Sequence, residues 1–352
     1  MKIASFFSGA GGLDLGFSNA GFELAYANDN WGGCWETFEK NHRIKIDKRS
    51  IVDVKPEEIP NVVGFVGGPP CQSWSLAGAM KGINDPRGKL FWNYVELIEK
   101  KQPLFFLAEN VPGILSPQHK PEFMKLIKKF WNIGYVVSFM LMDARYYGVP
   151  QERMRVIVVG YHKKLGKKFE FPRGYGKWVT LKEAIGDLLE PRPASEKNKT
   201  NGKLEIPNHE YMNGGFSTIY MSRNRVRGWD EQSFTIQAGG RHAPIHPQAP
   251  KMKLIGKNKR EFIKGKEHLY RRLSVRECAR IQTFPDNFVF YYGNVADGYK
   301  MIGNAVPVKL AEAIAKKIMQ DLKGMQEKDR GVICQTESQK SKEAKLCLAS
   351  NQ

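Results

Sequence analysis

The sequence predicts an α/β fold: a doubly wound sheet carrying a second, smaller, irregular and mainly β lobe. Three observations lead there. Strand-sized apolar runs alternate with amphipathic segments as far as Tyr161, the texture changes at Gly166, and helical periodicity returns at Ser274.

The runs Lys2–Phe7, Phe22–Ala27, Val62–Val66, Leu104–Ala108, Val136–Met142 and Arg155–Gly160 read as strands. Between them, Leu13–Ala20, Trp31–His42, Lys89–Lys100 and Glu122–Trp131 read as helices. In such an alternation, ligands bind in the loops beyond strand ends. From Gly166 to about Lys266 the chain is rich in Lys, Arg, Gly, Pro, Asn and His, with short strand-like pieces FSTIYM and SFTIQA. Helical pattern over Ser274–Thr283 and Val308–Leu322 implies a return to the first domain. Gly324 to Gln352 is polar, charged and aperiodic, and reads as a disordered tail. The expected divisions are 1–165, 166–270, 271–323 and 324–352.

The chain of 352 residues carries 55 Lys and Arg against 36 Asp and Glu, a net charge of +19. That excess draws polyanions, and shifts the odds towards nucleic acid without separating DNA, RNA and membrane. The five cysteines, Cys34, Cys71, Cys278, Cys334 and Cys347, are scattered, with neither a zinc-like cluster nor a disulfide framework, as suits a reducing cytoplasm. The N-terminus has no signal-peptide pattern, and the longest apolar stretches are strand-sized rather than membrane-sized.

Four motifs follow strand ends or lead into strands. In FFSGAGG (6–12), glycines permit close backbone approach and the amides of the next helix attract a carboxylate or phosphate. The acid of Asn28-Asp29, after the next strand, suits ribose hydroxyls. Together these indicate a nucleotide-like cofactor, an NAD-type dehydrogenase still being open. GGPPCQSWS (67–75) sets Cys71 on a stiff loop facing a cleft, whereas Cys34 and Cys278 sit in helical patterns as packed thiols. In LAENVP (107–112), Glu109 reads either as a helix-capping carboxylate or as a partly desolvated acid that holds a proton. In QERMRV (151–156), one of Arg153 and Arg155 is expected in the cleft, the other in solvent or paired with an acid.

FSGAGG, Asn28-Asp29, GGPPCQS, Glu109-Asn110-Val111, QERMR, RRLSVRECARIQTFP and GNAVP occur in an order that resembles the cytosine-5 DNA methyltransferases, from Ile3 to Asp321. The similarity is greatest to the bacterial restriction–modification enzymes of the Hae type, which recognise GGCC, and continues through KNKTNG, PNHEY, MSRNRVR and HPQAP. The resemblance implies a Rossmann-like S-adenosylmethionine-dependent methyltransferase sheet with a target-recognition domain. It also implies catalysis without a metal. Cys71 would add to carbon 6 of a cytosine flipped out of duplex DNA, Glu109 would bind ring N3 and the amino group, Arg155 the carbonyl oxygen, and Arg153 would support the loop.

The cofactor contacts it implies are Phe7, Gly9, Gly11, Leu13, Asp29, Ile51, Leu90, Asn304 and Ala305. Two positions depart from the family: Asp29 replaces a common Glu, with Asn30 before Trp31, and Ser50 replaces an Asp beside adenine. In the second lobe, Arg223, Arg225, Arg227 and Arg241 are candidate DNA contacts, since alternating arginines on an extended segment present guanidinium forks to guanine or to phosphates. Thr235, with Ile236, resembles the pair that lies against the flipped nucleotide. After Arg241 the chain departs from the Hae pattern at His242-Ala243-Pro244-Ile245, so GGCC and GGNCC both stand as sites. The implied setting is a monomer in the bacterial cytoplasm, on nucleoid DNA, sharing its site with a cognate restriction endonuclease. An RNA cytosine methyltransferase and a catalytically inert DNA-binding homologue are the alternatives.

Overall fold

The computed structural model describes residues 1–70, 86–202 and 204–325, with the side chains of 86–89 left aside. Cys71, Cys334 and Cys347 lie outside the described residues, as does the tail from Gln326.

Six strands form the central sheet: β1 (Lys2–Phe6), β2 (Glu23–Asn28), β3 (Gly64–Gly67), β4 (Phe105–Asn110), β5 (Tyr135–Asp143) and β6 (Met154–His162). Their order is β2-β1-β3-β4-β6-β5; β1, β2, β3 and β4 run parallel, and β6 pairs antiparallel with both β4 and β5. The chain steps outward from β1 to β2, then crosses to β3 on the other side. That reversal opens a crevice beyond the carboxyl ends of β1 and β3.

Strand periodicity builds two cores. Phe105, Leu107, Ile157, Val159 and Tyr161 face one side, against α1 (Gly12–Asn19) and α8, the helix at 308–325. Phe106, Ala108, Val156 and Val158 face the other, against α3 (Pro86–Lys101) and α4 (Lys120–Asn132). Helices on both faces make the sheet doubly wound, as its alternating sequence requires. Between β2 and β3 lies α2 (Gly32–His42). Glycine is forced where helices meet: a Cβ on Gly16 of α1 would lie 2.4 Å from Ala311 Cβ of α8.

Beyond β6 come α5 (Leu181–Ile185), β7 (Arg192–Pro193), β8 (Glu210–Tyr211), β9 (Lys253–Gly256) and β10 (Lys259–Glu261), then α6 (Val275–Ile281) and α7 (Val295–Asn304). FSTIYM and SFTIQA are not strands. The first ends in a 3-10 turn over Tyr220–Ser222, and the second makes only an isolated bridge from Ser233 to Gln151. Phe216, Tyr220 and Met221 of the first pack into a small separate core with Val226, Ile245, Ala249, Met252 and Tyr270, while Ile236 of the second packs into the core around α6 and α7. Helix α7, unmarked by the sequence reading, buries Val295, Gly298, Tyr299 and Ile302, one face of a helix. Cys34 and Cys278 are buried thiols, as expected. Among the described residues no helix is long and apolar enough to cross a membrane.

Candidate active site

A cavity of about 490 Å³ opens at the crevice between β1 and β3. Its floor is the turn after β1. Phe7 (φ 54) and Gly9 (φ 56) are left-handed, a conformation costing a non-glycine residue about 1–2 kcal/mol and concentrated at functional sites. Phe7, Gly9 and Leu13 line the cavity. Gly11 does not; its φ of 86 makes the turn, and a Cβ there would strike His42 Nε2 at 1.9 Å.

Asp29 locks this turn. Its Oδ2 accepts from the Gly9 amide and its Oδ1 from the Trp31 amide, both at 2.8 Å. Burial pushes its carboxyl above the usual range. The buried Asn28 amide donates to the carbonyls of Asp47 and Arg49, at 3.0 and 2.8 Å, and so carries Ser50 and Ile51 to the cavity wall. Leu90, Asn304 and Ala305 complete the expected lining.

Two charged lining residues escaped the sequence reading as contacts. Lys300 stands 3.9 Å over the Trp31 ring. It precedes Asn304 by four residues on α7, so the helical spacing was the available signal. Asp14 is fully buried beside the Ser5 hydroxyl, and burial raises its pKa to about 7. A cavity with a glycine turn, two buried acids, an amide and aromatic and aliphatic walls fits a nucleoside-bearing cation such as S-adenosylmethionine.

At the opposite rim, Glu109 Oε1 and Arg155 Nε lie 2.7 Å apart, both side chains only 12% exposed. The antiparallel β4–β6 ladder sets this pair, opposing Glu109 to Ile157 two residues from Arg155. Glu109 therefore lies within β4 and does not cap a helix. Its second oxygen faces the loop at Gly68, 3.4 Å from where a Cβ would stand. Asn110 fastens that loop, donating to the Pro69 carbonyl at 3.2 Å. Cys71, one residue past Pro70 in this loop, lies outside the described residues.

Neither arginine of QERMR is left to solvent. Arg155 turns to Glu109, while Arg153 is 1% exposed and reaches no cavity. Residues two apart on extended backbone share a side, so both turn inward. Arg153 donates to the carbonyls of Ile236 (2.9 Å), Gly303 (2.8 Å) and Ala305 (3.0 Å). It is a positioning residue that joins the second lobe, the α7 exit and β6.

The alternating arginines do not present one face. Arg223 and Arg241 are exposed. Arg225 is buried, 4.5 Å over the Tyr220 ring and donating to the Tyr220 carbonyl at 2.8 Å. Arg227 pairs with Glu152 (2.8 Å) and Glu231 (3.1 Å) and lies over Phe234. Arg225 and Arg227 turn inward onto the Tyr220 and Phe234 rings, away from the exposed Arg223. The Thr235 hydroxyl donates to the Glu152 carbonyl, so this residue is stitched to the entry of β6.

Comparison with known proteins agrees with this geometry. The family model for C-5 cytosine-specific DNA methylase matches residues 1–320. The chain is 67% identical over 326 residues to Type II methyltransferase M.MthTI of Methanothermobacter thermautotrophicus, covering 92% of this chain and 99% of that one. It is 54% identical to Type II methyltransferase M.FnuDI of Fusobacterium nucleatum, covering 92% and 95%. Among solved structures, the Entamoeba histolytica methyltransferase EhMeth superposes with a TM-score of 0.68 at 17% identity, over 92% of this chain and 98% of that one, a likeness of fold. The chain belongs to the C-5 cytosine-specific DNA methylases and is a DNA methyltransferase.

Proposed function

We propose that the chain methylates carbon 5 of a cytosine flipped out of duplex DNA at a GGCC-like palindrome, with Cys71 as covalent nucleophile and S-adenosylmethionine as donor. The carrying observation is the Glu109–Arg155 pair at 2.7 Å, held at the cavity rim beside the loop that leads to Cys71. A cytosine presents N3 and an amino group on one edge and a carbonyl oxygen beside them. A carboxyl group and a guanidinium held side by side match that edge, Glu109 giving a proton to N3 and accepting from the amino group, and Arg155 donating to the oxygen.

The Cys71 thiolate bonds to carbon 6, and the ring electrons move towards carbon 5 and N3. Glu109 passes a proton to N3 and Arg155 donates to the carbonyl oxygen, so the negative charge that develops on the ring is offset. The bound cofactor supplies a methyl group on a sulfonium. Once carbon 5 is alkylated, loss of its proton restores the ring double bond and expels Cys71. Asp29, with the turn it locks, would hold the ribose and methionine portions, with Ile51, Leu90 and Trp31 against the base.

Residues 166–270 are the target-recognition lobe in this reading. Arg223 and Arg241 carry exposed guanidinium groups, and Arg225, Arg227 and Thr235 hold its loops. The protein would act as a cytoplasmic monomer that shields host DNA from a cognate endonuclease cutting the same site.

Bisulfite sequencing of DNA from an expressing cell tests the reading. Methylation within GGCC is expected; a GGNCC pattern would revise the site, and methylation confined to other contexts, or found on tRNA in place of DNA, would overturn it.

A further inference from the structure

Among the described residues, four charged side chains line the cavity between β1 and β3: Asp14, Asp29, Glu109 and Lys300. Three are acids, and Lys300 is the cation among them. S-adenosylmethionine carries a sulfonium, an ammonium and one carboxylate. Acids on a cavity wall draw the first two and repel the third, so the carboxylate needs a lining group of the opposite sign. The fold holds Lys300 in that place. Helix α7 sets it four residues before Asn304, so both side chains share the side that faces the cavity. The Trp31 ring lies 3.9 Å from its ammonium. Trp31 is itself pinned, since its amide donates to Asp29 at 2.8 Å. Gly33 leaves that ring its room: a Cβ there would stand 2.5 Å from it. Asp29 also attracts Lys300 through space. Lys300 is half-buried and, among the described residues, makes no ion pair, so its charge is open to a ligand.

We propose that Lys300 binds the carboxylate of the cofactor's methionine portion. The inference rests on the reading that S-adenosylmethionine is the methyl donor. The amides at the start of α1 also attract an anion. Acids flank them, however: Asp14 occupies the same first turn, and Asp29 already takes the Gly9 amide at 2.8 Å. From Lys300 the carboxylate gains a hydrogen bond in which both partners are charged, which the amides alone do not give. The donor and its demethylated product carry the same carboxylate. Lys300 therefore adds affinity for both and does not distinguish them.

Calorimetry on the intact chain tests this with S-adenosylmethionine, S-adenosylhomocysteine and decarboxylated S-adenosylmethionine, the last of which keeps both cations and lacks the carboxylate. Lys300→Met and Lys300→Gln are expected to keep the wild-type melting temperature and to bind the first two ligands more weakly by roughly 10- to 30-fold. Both variants are expected to bind the decarboxylated ligand at least as tightly as wild type does, because a like charge has been removed. Lys300→Arg, which keeps the charge, is expected to stay within about threefold of wild type for S-adenosylmethionine. Equal losses for ligands with and without the carboxylate give Lys300 a structural role and overturn the assignment. So does an unchanged affinity for S-adenosylmethionine, which leaves the carboxylate to the α1 amides. A wild type that binds neither S-adenosylmethionine nor its product overturns the donor reading itself, whereas wild-type binding that is tight and insensitive to Lys300 overturns the role of Lys300 alone.

Discussion

At the residue scale, two acids at the cavity have different environments and different consequences. Glu109 is held by Arg155 at 2.7 Å. Glu109→Gln keeps the shape and removes the carboxyl proton that N3 takes up in the proposed reaction, so kcat for methyl transfer should fall by about 10²–10³-fold. Cofactor affinity by calorimetry should change little, because the opposite wall of the cavity is untouched. Asp14 lies fully buried, and that burial raises its carboxyl to about 7. Its folded pKa exceeds the unfolded one, so the folded state holds the extra proton. Stability is then fully present below pH 4 and is lost as pH rises through 7. Denaturation of Asp14→Asn against wild type should show the variant gaining relative stability over that window, by about 2–4 kcal/mol at pH 8. A difference independent of pH would contradict the buried, proton-holding carboxyl.

At the element scale, Arg153 is the crossing point of three segments. Its guanidinium serves the carbonyls of Ile236, Gly303 and Ala305, so Arg153→Met strands buried acceptors and should cost about 3 kcal/mol in chemical denaturation. This tie was hidden in the sequence, because an arginine near a strand entry is usually solvated and its acceptors lie 83 to 152 residues away. The sheet, by contrast, was legible. The runs at Leu104–Ala108 and Arg155–Gly160 are buried on both faces and read as continuous apolar stretches, and only their ends shifted when ladder pairing drew in Glu109 and Met154. Helix α7 had a readable face in Val295, Tyr299 and Ile302, masked by two glycines. The second lobe was not legible as elements. Its alternating pieces are held by single bridges and by side chains such as Arg225 and Arg272, which leave no periodicity. Of the site, the cavity residues were readable from loops at strand ends. The division of the arginines into exposed and structural was not, since it depends on the Tyr220 and Phe234 rings and on Glu152 and Glu231, which no periodicity marks.

At the scale of the whole molecule, a doubly wound sheet sets the cofactor cavity at its topological reversal. Against it stands an irregular lobe stitched to β6 through Arg153, Thr235 and Gln151. The net charge of +19 gives the molecule a long-range attraction for duplex DNA, so raising salt should raise the apparent KM for DNA steeply with little change in kcat. The proposed chemistry turns on Cys71. A duplex with 5-fluorocytosine at the target position cannot lose a proton from carbon 5, so the covalent adduct persists. Electrophoresis under denaturing conditions should therefore show wild-type protein bound to that duplex in the presence of S-adenosylmethionine, and none with Cys71→Ser. A wild-type protein that methylates normal cytosine yet leaves no such adduct, or a Cys71→Ser protein that still forms one, would contradict covalent catalysis at this residue.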